Sequence, residues 1–240
     1  MPIKIEARNL NVSLNGHHIL KDINLQFSGP DLFFILGANG SGKSTLLRAL
    51  AGLIPFSGRI RINEKDIRSF NRKELAKTIG YVWQNPLYGF FEENVQREII
   101  FILKNLNLPY DNANDIIKFF SIEHLLNRSP FTLSGGEAKR VSISSVIVAD
   151  QPIILFDEPE SEMDLAGLER ILEYIVLNTR RKLIIVATHN PLIAYKLRAH
   201  ISKIIYIKNG EVSSIENAES LEDNDFLASL GIVPVDWWYQ

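Results

Sequence analysis

Residues 37–45 read Gly37, Ala38, Asn39, Gly40, Ser41, Gly42, Lys43, Ser44 and Thr45, the pattern G-x-x-x-x-G-K-S/T. The apolar run Leu32 to Leu36 precedes it, and Leu46, Leu47 and Leu50 follow at helical spacing. Strand, glycine loop and helix in that order is the context in which this pattern holds phosphate. Gly37, Gly40 and Gly42 let the backbone curl so that successive amides point inward, and the helix adds its positive end. Lys43 is then a point charge for the β and γ phosphates, the Ser44 hydroxyl a ligand for Mg²⁺, and Thr45 a contact to the α phosphate.

A second group stands at the end of the apolar run Ile153 to Phe156, which closes in Asp157 and Glu158. Asp157 falls where phosphate-loop enzymes hold Mg²⁺ from a second strand, usually through water. One residue further on, Glu158 is the group to orient and deprotonate an attacking water. Alone, Asp157-Glu158-Pro159 reads equally well as a solvated turn; beside a phosphate loop it reads as the other half of one site. The third segment, Leu133-Ser134-Gly135-Gly136-Glu137, precedes a helix carrying Val141, Ser145 and Val148. Taken alone it is either a second anion site or, the favoured reading, a plain N-cap in which Ser134 satisfies helix amides.

The elements that must position these groups follow from hydrophobic period. Ile3 and Ile5 alternate with Lys4 and Glu6, and Ile23, Leu25 and Phe27 alternate with polar residues, so residues 1–36 read as strands. Gly58 to Ile62 and Ile79 to Trp83 add more. Between about 87 and 150 the pattern turns helical, with Val95, Ile99, Ile102, Leu103 and Leu106 on one stripe and Ile116, Phe119 and Phe120 on a shorter one. Strand 153–157, a helix with Leu165, Leu168, Leu172 and Ile175 on one face, strand 183–187, a helix from Pro191 and strand 204–207 complete the chain. That alternation predicts an α/β fold with a largely parallel sheet.

The 240 residues carry a net charge of -2 and no cysteine. A disulfide framework and thiolate metal ligands are excluded, a reducing compartment fits, and no basic field favours nucleic acid as a partner. No apolar run approaches the roughly 18 residues of a membrane-spanning helix, and the start Met1-Pro2-Ile3-Lys4-Ile5-Glu6 lacks the apolar core of a signal peptide. If this protein works at a membrane, it does so from the surface.

With the three segments in place, the chain resembles the nucleotide-binding subunits of ABC ATPases over nearly its whole length. The family's L-S-G-G-Q signature here ends in Glu137. The resemblance implies a P-loop NTPase core of RecA-like type, an N-terminal antiparallel β subdomain and an inserted helical subdomain. On that pattern residues 1–86 and 141–215 form the nucleotide-binding core, 87–140 the helical subdomain and 216–240 a tail. It implies ATP and Mg²⁺ as ligands. Ser134, Gly135 and Gly136 would bind the γ phosphate held by a second ABC ATPase subunit, identical or paralogous. Gln84 falls at the glutamine that contacts metal and attacking water, and His189 at the switch histidine. Asp164, in Ser161-Glu162-Met163-Asp164, falls at the aspartate that signals across the dimer, although the usual S-A-L-D is altered in its middle. Leu14 stands where relatives stack an aromatic ring on adenine, with His17 or His18 as the alternative stacking group.

About 50 residues separate Gln84 from the signature, without the sustained heptads of repair and chromosome ATPases, and a single cassette is present rather than the two of translation factors. Transport remains, and residues 84–109 are similar to the ATPases of energy-coupling factor and cobalt or nickel importers. The resemblance implies a subunit at the cytoplasmic face of the cell membrane, joined to an integral membrane transporter subunit and importing a metal ion or vitamin. Tyr88, Phe90 and Phe91 would either receive the membrane subunit or form the core of the helical lobe. Trp237-Trp238-Tyr239 would either stabilise the dimer or cap the fold. The rival from another class is a switch or clamp that ATP closes without hydrolysis, against which Glu158 argues.

Overall fold

The computed structural model describes residues 3–239; Met1, Pro2, Gln240 and the side chains of Trp238 and Tyr239 lie outside what it describes. β1 (Lys4–Leu14) and β2 (His17–Ser28) form a hairpin turned by Asn15 and Gly16, at φ 50° and 80°. That pair suits a two-residue type I′ turn, whose twist matches the strands. β3 (Asp31–Leu36) departs for a second sheet, while β4 (Ser57–Ile62) and the short β5 (Lys65–Asp66) complete an antiparallel sheet of order β2-β1-β4-β5.

The second sheet contains β6 (Ile79–Val82), β7 (Ile153–Asp157), β8 (Leu183–Thr188), β9 (Ile201–Lys208) and β10 (Glu211–Glu216), in the order β10-β9-β3-β8-β7-β6. Its pairs are parallel except β9 with β10. Eight α-helices accompany the strands among the described residues: α1 (Lys43–Leu50), α2 (Arg72–Thr78), α3 (Val95–Leu106), α4 (Ala113–Phe119), α5 (Gly135–Ile147), α6 (Leu165–Asn178), α7 (Pro191–Lys196) and α8 (Asn224–Ser229). No helix among these residues is long and apolar enough to cross a membrane.

Strand period divides the core into two layers, because successive side chains point to opposite faces of a sheet. Phe33 and Ile35 of β3 and Ile153 and Leu155 of β7 join Leu46, Leu47 and Leu50 of α1 and the inner face of the antiparallel sheet. Leu32, Phe34 and Leu36, with Ile154 and Phe156, join the other layer under α3, α5 and α6. Both faces of the parallel sheet are therefore covered, which is why its strands read as continuous apolar runs.

One reading of the sequence changes, and two segments it left without a structure acquire one. α6 buries Ile171, Tyr174 and Ile175, whereas Leu165 is 65% exposed and Leu168 and Leu172 are only half-buried. The Tyr174 ring, which meets Phe120 and Phe156 at 6.3 and 6.5 Å, presents more apolar area than a leucine and sets the rotation. α2, in which Leu75 is the one large apolar residue, carried no apolar stripe to announce it; its start is held by a capping box between Asn71 and Glu74. The tail is no loose appendage: Leu221, Leu227, Leu230, Ile232 and Val235 belong to the main core, and Phe226 packs edge-on to Tyr206. Of the aromatic ending only the Trp237 side chain is described, and it is exposed.

Candidate functional site

Four segments converge because each leaves the carboxyl end of a strand in the row β3-β8-β7-β6: the loop 37–42 after β3, His189 after β8, Glu158 after β7 and Gln84 after β6. This edge is where open α/β sheets bind ligands. At its centre Lys43 is buried, its Nζ donating to the carbonyls of Gly37 at 2.9 Å and Ala38 at 3.0 Å. Burial holds its ammonium below the usual lysine range, and the Glu158 carboxylate 4.0 Å away opposes that shift. A Cβ on Gly37 would run into the Ile207 carbonyl, and one on Gly42, at φ 109°, would lie 2.8 Å from Leu20 Cδ2. The loop thus needs glycine for close packing as well as for its curl.

Alternation along β7 turns Asp157 to the same face as Leu155, toward α1. There Ser44 Oγ donates to Asp157 Oδ1 at 2.7 Å, and Tyr81 OH donates to Asp157 Oδ2 at 2.7 Å. Burial beside that carboxylate pushes the Tyr81 phenol up, keeping it a donor. Glu158 occupies the left-handed region at φ 44°, and its carboxylate lies at a crossing. Gln84 Nε2 donates to Oε2 at 2.9 Å, and His189 Nδ1 stands 3.0 Å from Oε1. Glu158 is therefore in reach of both Gln84 and His189, as Ser44 is of Asp157.

The residues fit a triphosphate with a divalent cation. α1 begins at Gly42 without a side-chain cap or an acidic first turn, so its N-terminal amides are open, while α2, α3, α5 and α6 are each capped by a side chain. Ser41 Oγ is buried without a partner beside those amides. Ser44 and Asp157 offer hard oxygens of the kind Mg²⁺ takes. Ala38, Asn39, Gly40 and Thr45 complete the loop, with Asn39 and Gly40 exposed at its rim.

The remaining expected residues lie apart from this cluster. Among the described residues no hydrogen bond joins Ser134, Gly135 or Gly136 to the phosphate loop. Ser134 caps α5 in a capping box: its backbone N and Oγ each donate to Glu137 Oε2 at 2.9 Å, and Glu137 N donates to Ser134 Oγ at 3.4 Å. Asp164 caps α6 by accepting from Gly167 N at 2.7 Å and lies 3.8 Å from Arg140. Leu14 ends β1 opposite His17, and His18 Nδ1 meets Ser13 Oγ at 3.0 Å. Phe90 is 5% exposed and meets Phe131, so it is core; Tyr88 and Phe91 are 65% and 71% exposed, so the aromatic trio divides.

Reading residues in order missed four groups. Tyr81 stands inside the apolar strand β6, and only the pairing of β6 with β7 brings its phenol to Asp157. Thr188 Oγ1 donates to Glu160 and accepts from Asn190 N at 2.9 Å, fixing the turn that carries His189. Burial holds the Glu160 carboxyl above the usual range. Glu98 is buried and accepts from Phe91 N and Glu92 N, both at 2.8 Å. Lys139, on the same helical face as Ser142 and Ile143, is fully buried, and burial pushes its ammonium down to about 8.

Residues 20–161 match the family described as ABC transporter. The chain is 33% identical over 232 residues to a Fusobacterium nucleatum protein described as an energy-coupling factor transporter ATP-binding protein, covering 92% of this chain and 86% of that one. Among solved structures it is similar to Clostridium perfringens cbiO1, described as part of the ABC transporter complex cbiONQ, with TM-score 0.75, 30% identity and coverage of 94% and 92%. It is also similar to a dimeric ATP-binding cassette in a post-hydrolysis state bound to ADP and phosphate, with TM-score 0.79, 25% identity and coverage of 89% and 98%.

Proposed function

This chain belongs to the ABC transporter family as an ATP-binding subunit that hydrolyses ATP with Mg²⁺, and from that premise we propose that it powers import of a metal ion or vitamin. It works as a peripheral subunit on the cytoplasmic face of a membrane, bound to an integral membrane transporter subunit and paired with a second ATPase subunit, identical or paralogous. The division into a nucleotide core at 1–86 and 141–215, a helical lobe at 87–140 and a tail at 216–240 belongs to this reading, with α5 running unbroken through the boundary at 140.

The observation that carries the catalytic part is the Glu158 carboxylate, buried within reach of Lys43, Gln84 and His189 at once. In this reading Gly37, Ala38, Asn39, Gly40, Ser41 and Gly42 present their amides to the phosphates, Lys43 neutralises them, and Thr45 meets the α phosphate. Ser44, Asp157 and Gln84 hold Mg²⁺, which when bound neutralises charge developing on the phosphoryl oxygens. Glu158 takes the proton of the attacking water, and His189 orients Glu158 and the γ phosphate. Leu14 covers the adenine. Ser134, Gly135, Gly136 and Asp164 meet the nucleotide of the partner subunit, which completes each site.

Steady-state phosphate release with Glu158→Gln tests this. The amide keeps size and polarity but accepts no proton, so turnover falls about 100-fold or more while ATP binding persists. The variant accumulates as an ATP-bound dimer on size exclusion. Near-parent turnover removes Glu158 from the base role, and failure of any integral membrane protein to co-purify with the parent from its native membrane overturns the transport reading.

A further inference from the structure

The catalytic segments come from separate strands, yet something must keep their backbones in register with the helix that begins at the signature. Glu158 sits at φ 44°, a region costly for a side chain larger than glycine and held only where the surroundings over-determine it. Its amide donates to Ala187 O at 2.8 Å. Its carbonyl accepts from Ser161 Oγ at 2.9 Å and from Lys139 Nζ at 3.0 Å. The same ammonium lies 2.8 Å from Gln84 O, 3.0 Å from Trp83 O and 3.1 Å from Ser161 Oγ, so its three N–H groups are shared among four acceptors. One buried cation thus reaches the glutamine loop, the residue after β7 and the loop that leads to Asp164.

We propose that Lys139 is a positioning residue for ATP hydrolysis, tying the helix that starts at Ser134 to the backbones of Gln84 and Glu158. Lys139 lies five residues along the chain from Ser134, on the same unbroken helix. A displacement of the signature end, such as docking on a partner's nucleotide, is therefore carried to both carbonyls. The ammonium bonds to the backbone carbonyls and to neither the Glu158 carboxylate nor the Gln84 side-chain amide, so it sets where the Glu158 and Gln84 side chains start from rather than their chemistry. An ammonium has three donors and no acceptor, which suits a nest of carbonyls and a hydroxyl better than an amide that must also place an acceptor there. The inference rests on the reading of Glu158 as the base.

The test compares Lys139→Met, Lys139→Gln and Glu158→Gln in the full chain by phosphate release, ATP titration and thermal unfolding. Lys139→Met, which keeps the apolar stem and removes every donor, is expected to lower kcat at least tenfold with KM and ATP Kd within about threefold of the parent. Lys139→Gln restores two donors and is expected to recover part of kcat. A purely structural lysine would lower the unfolding temperature and leave kcat per folded molecule unchanged, and that result overturns the proposal. If Lys139→Met does not fold, Lys139→Gln decides: kcat within twofold of the parent overturns it, and a larger loss at unchanged KM supports it. Near-parent turnover by Glu158→Gln instead strikes the reading of the base, while abolished turnover there beside parent-like Lys139 variants strikes the lysine alone.

Discussion

Lys43 donates to two carbonyls of its own loop, and it faces Glu158 and Asp157 across the site. Its charge therefore offsets the carboxylates as well as the phosphates the loop would hold. Lys43→Ala removes a charge-assisted contact worth about 1.5–3 kcal/mol, roughly 10- to 100-fold in Kd. Titration calorimetry should show weaker ATP binding, with turnover falling alongside. Unchanged affinity would take the loop out of phosphate binding.

At the scale of the helix, Glu137 explains a departure that the sequence leaves open. A glutamate in place of the signature's usual glutamine puts an anion near a phosphate site, but its carboxylate is engaged by the Ser134 amide and hydroxyl, with Arg128 3.4 Å away. Those bonds hold its carboxyl below the usual carboxylate range, the Ser134 amide most of all. A depressed folded pKa means the contribution is present above the unfolded value and is lost as pH falls through the folded one. Glu137→Ala is expected to destabilise the protein by about 0.5–1.5 kcal/mol at pH 7. The difference from the parent should shrink as pH drops below the ordinary glutamate value. Denaturant unfolding at pH 7 and at acid pH checks both the size and the sign.

Over the whole molecule, the exposed aromatics border a groove of about 280 Å³ between the β6 end and α3, lined by Leu53, Trp83, Tyr88, Phe91, Phe101 and Ile102. Phe91 stacks on Phe101 at 5.8 Å and Tyr88 meets Trp83 edge-on at 6.2 Å. Glu98 fixes the loop by accepting from two of its amides. An apolar concavity on a preformed loop would suit a helix of the proposed membrane subunit. Tyr88→Ser with Phe91→Ser should abolish co-purification of that subunit while leaving basal phosphate release and the unfolding temperature near those of the parent. Loss of folding would instead assign both rings to the core. Phe90, buried against Phe131, is the wrong residue for this test, because its replacement by a polar side chain would disrupt the lobe itself.

What the sequence determined by itself is whatever depends on near neighbours. The loop Gly37 to Thr45 is one continuous turn of chain, so its chemistry could be read from residue types and spacing. The apolar alternation of β3 and β7 announced buried strands for the same reason. Ser44 and Asp157, by contrast, lie 113 residues apart, and only the strand order that sets β7 beside β8 and β8 beside β3 brings them to 2.7 Å. Lys139 reads as an ordinary helix cation until folding closes the 56 residues back to Trp83 and surrounds its ammonium with acceptors. Phe90 and Phe91 are identical in the sequence, and the turn between β6 and α3 sends one inward and the other out. Tertiary structure decided these because side-chain environment is set by the surface that packs against an element, which local period does not contain.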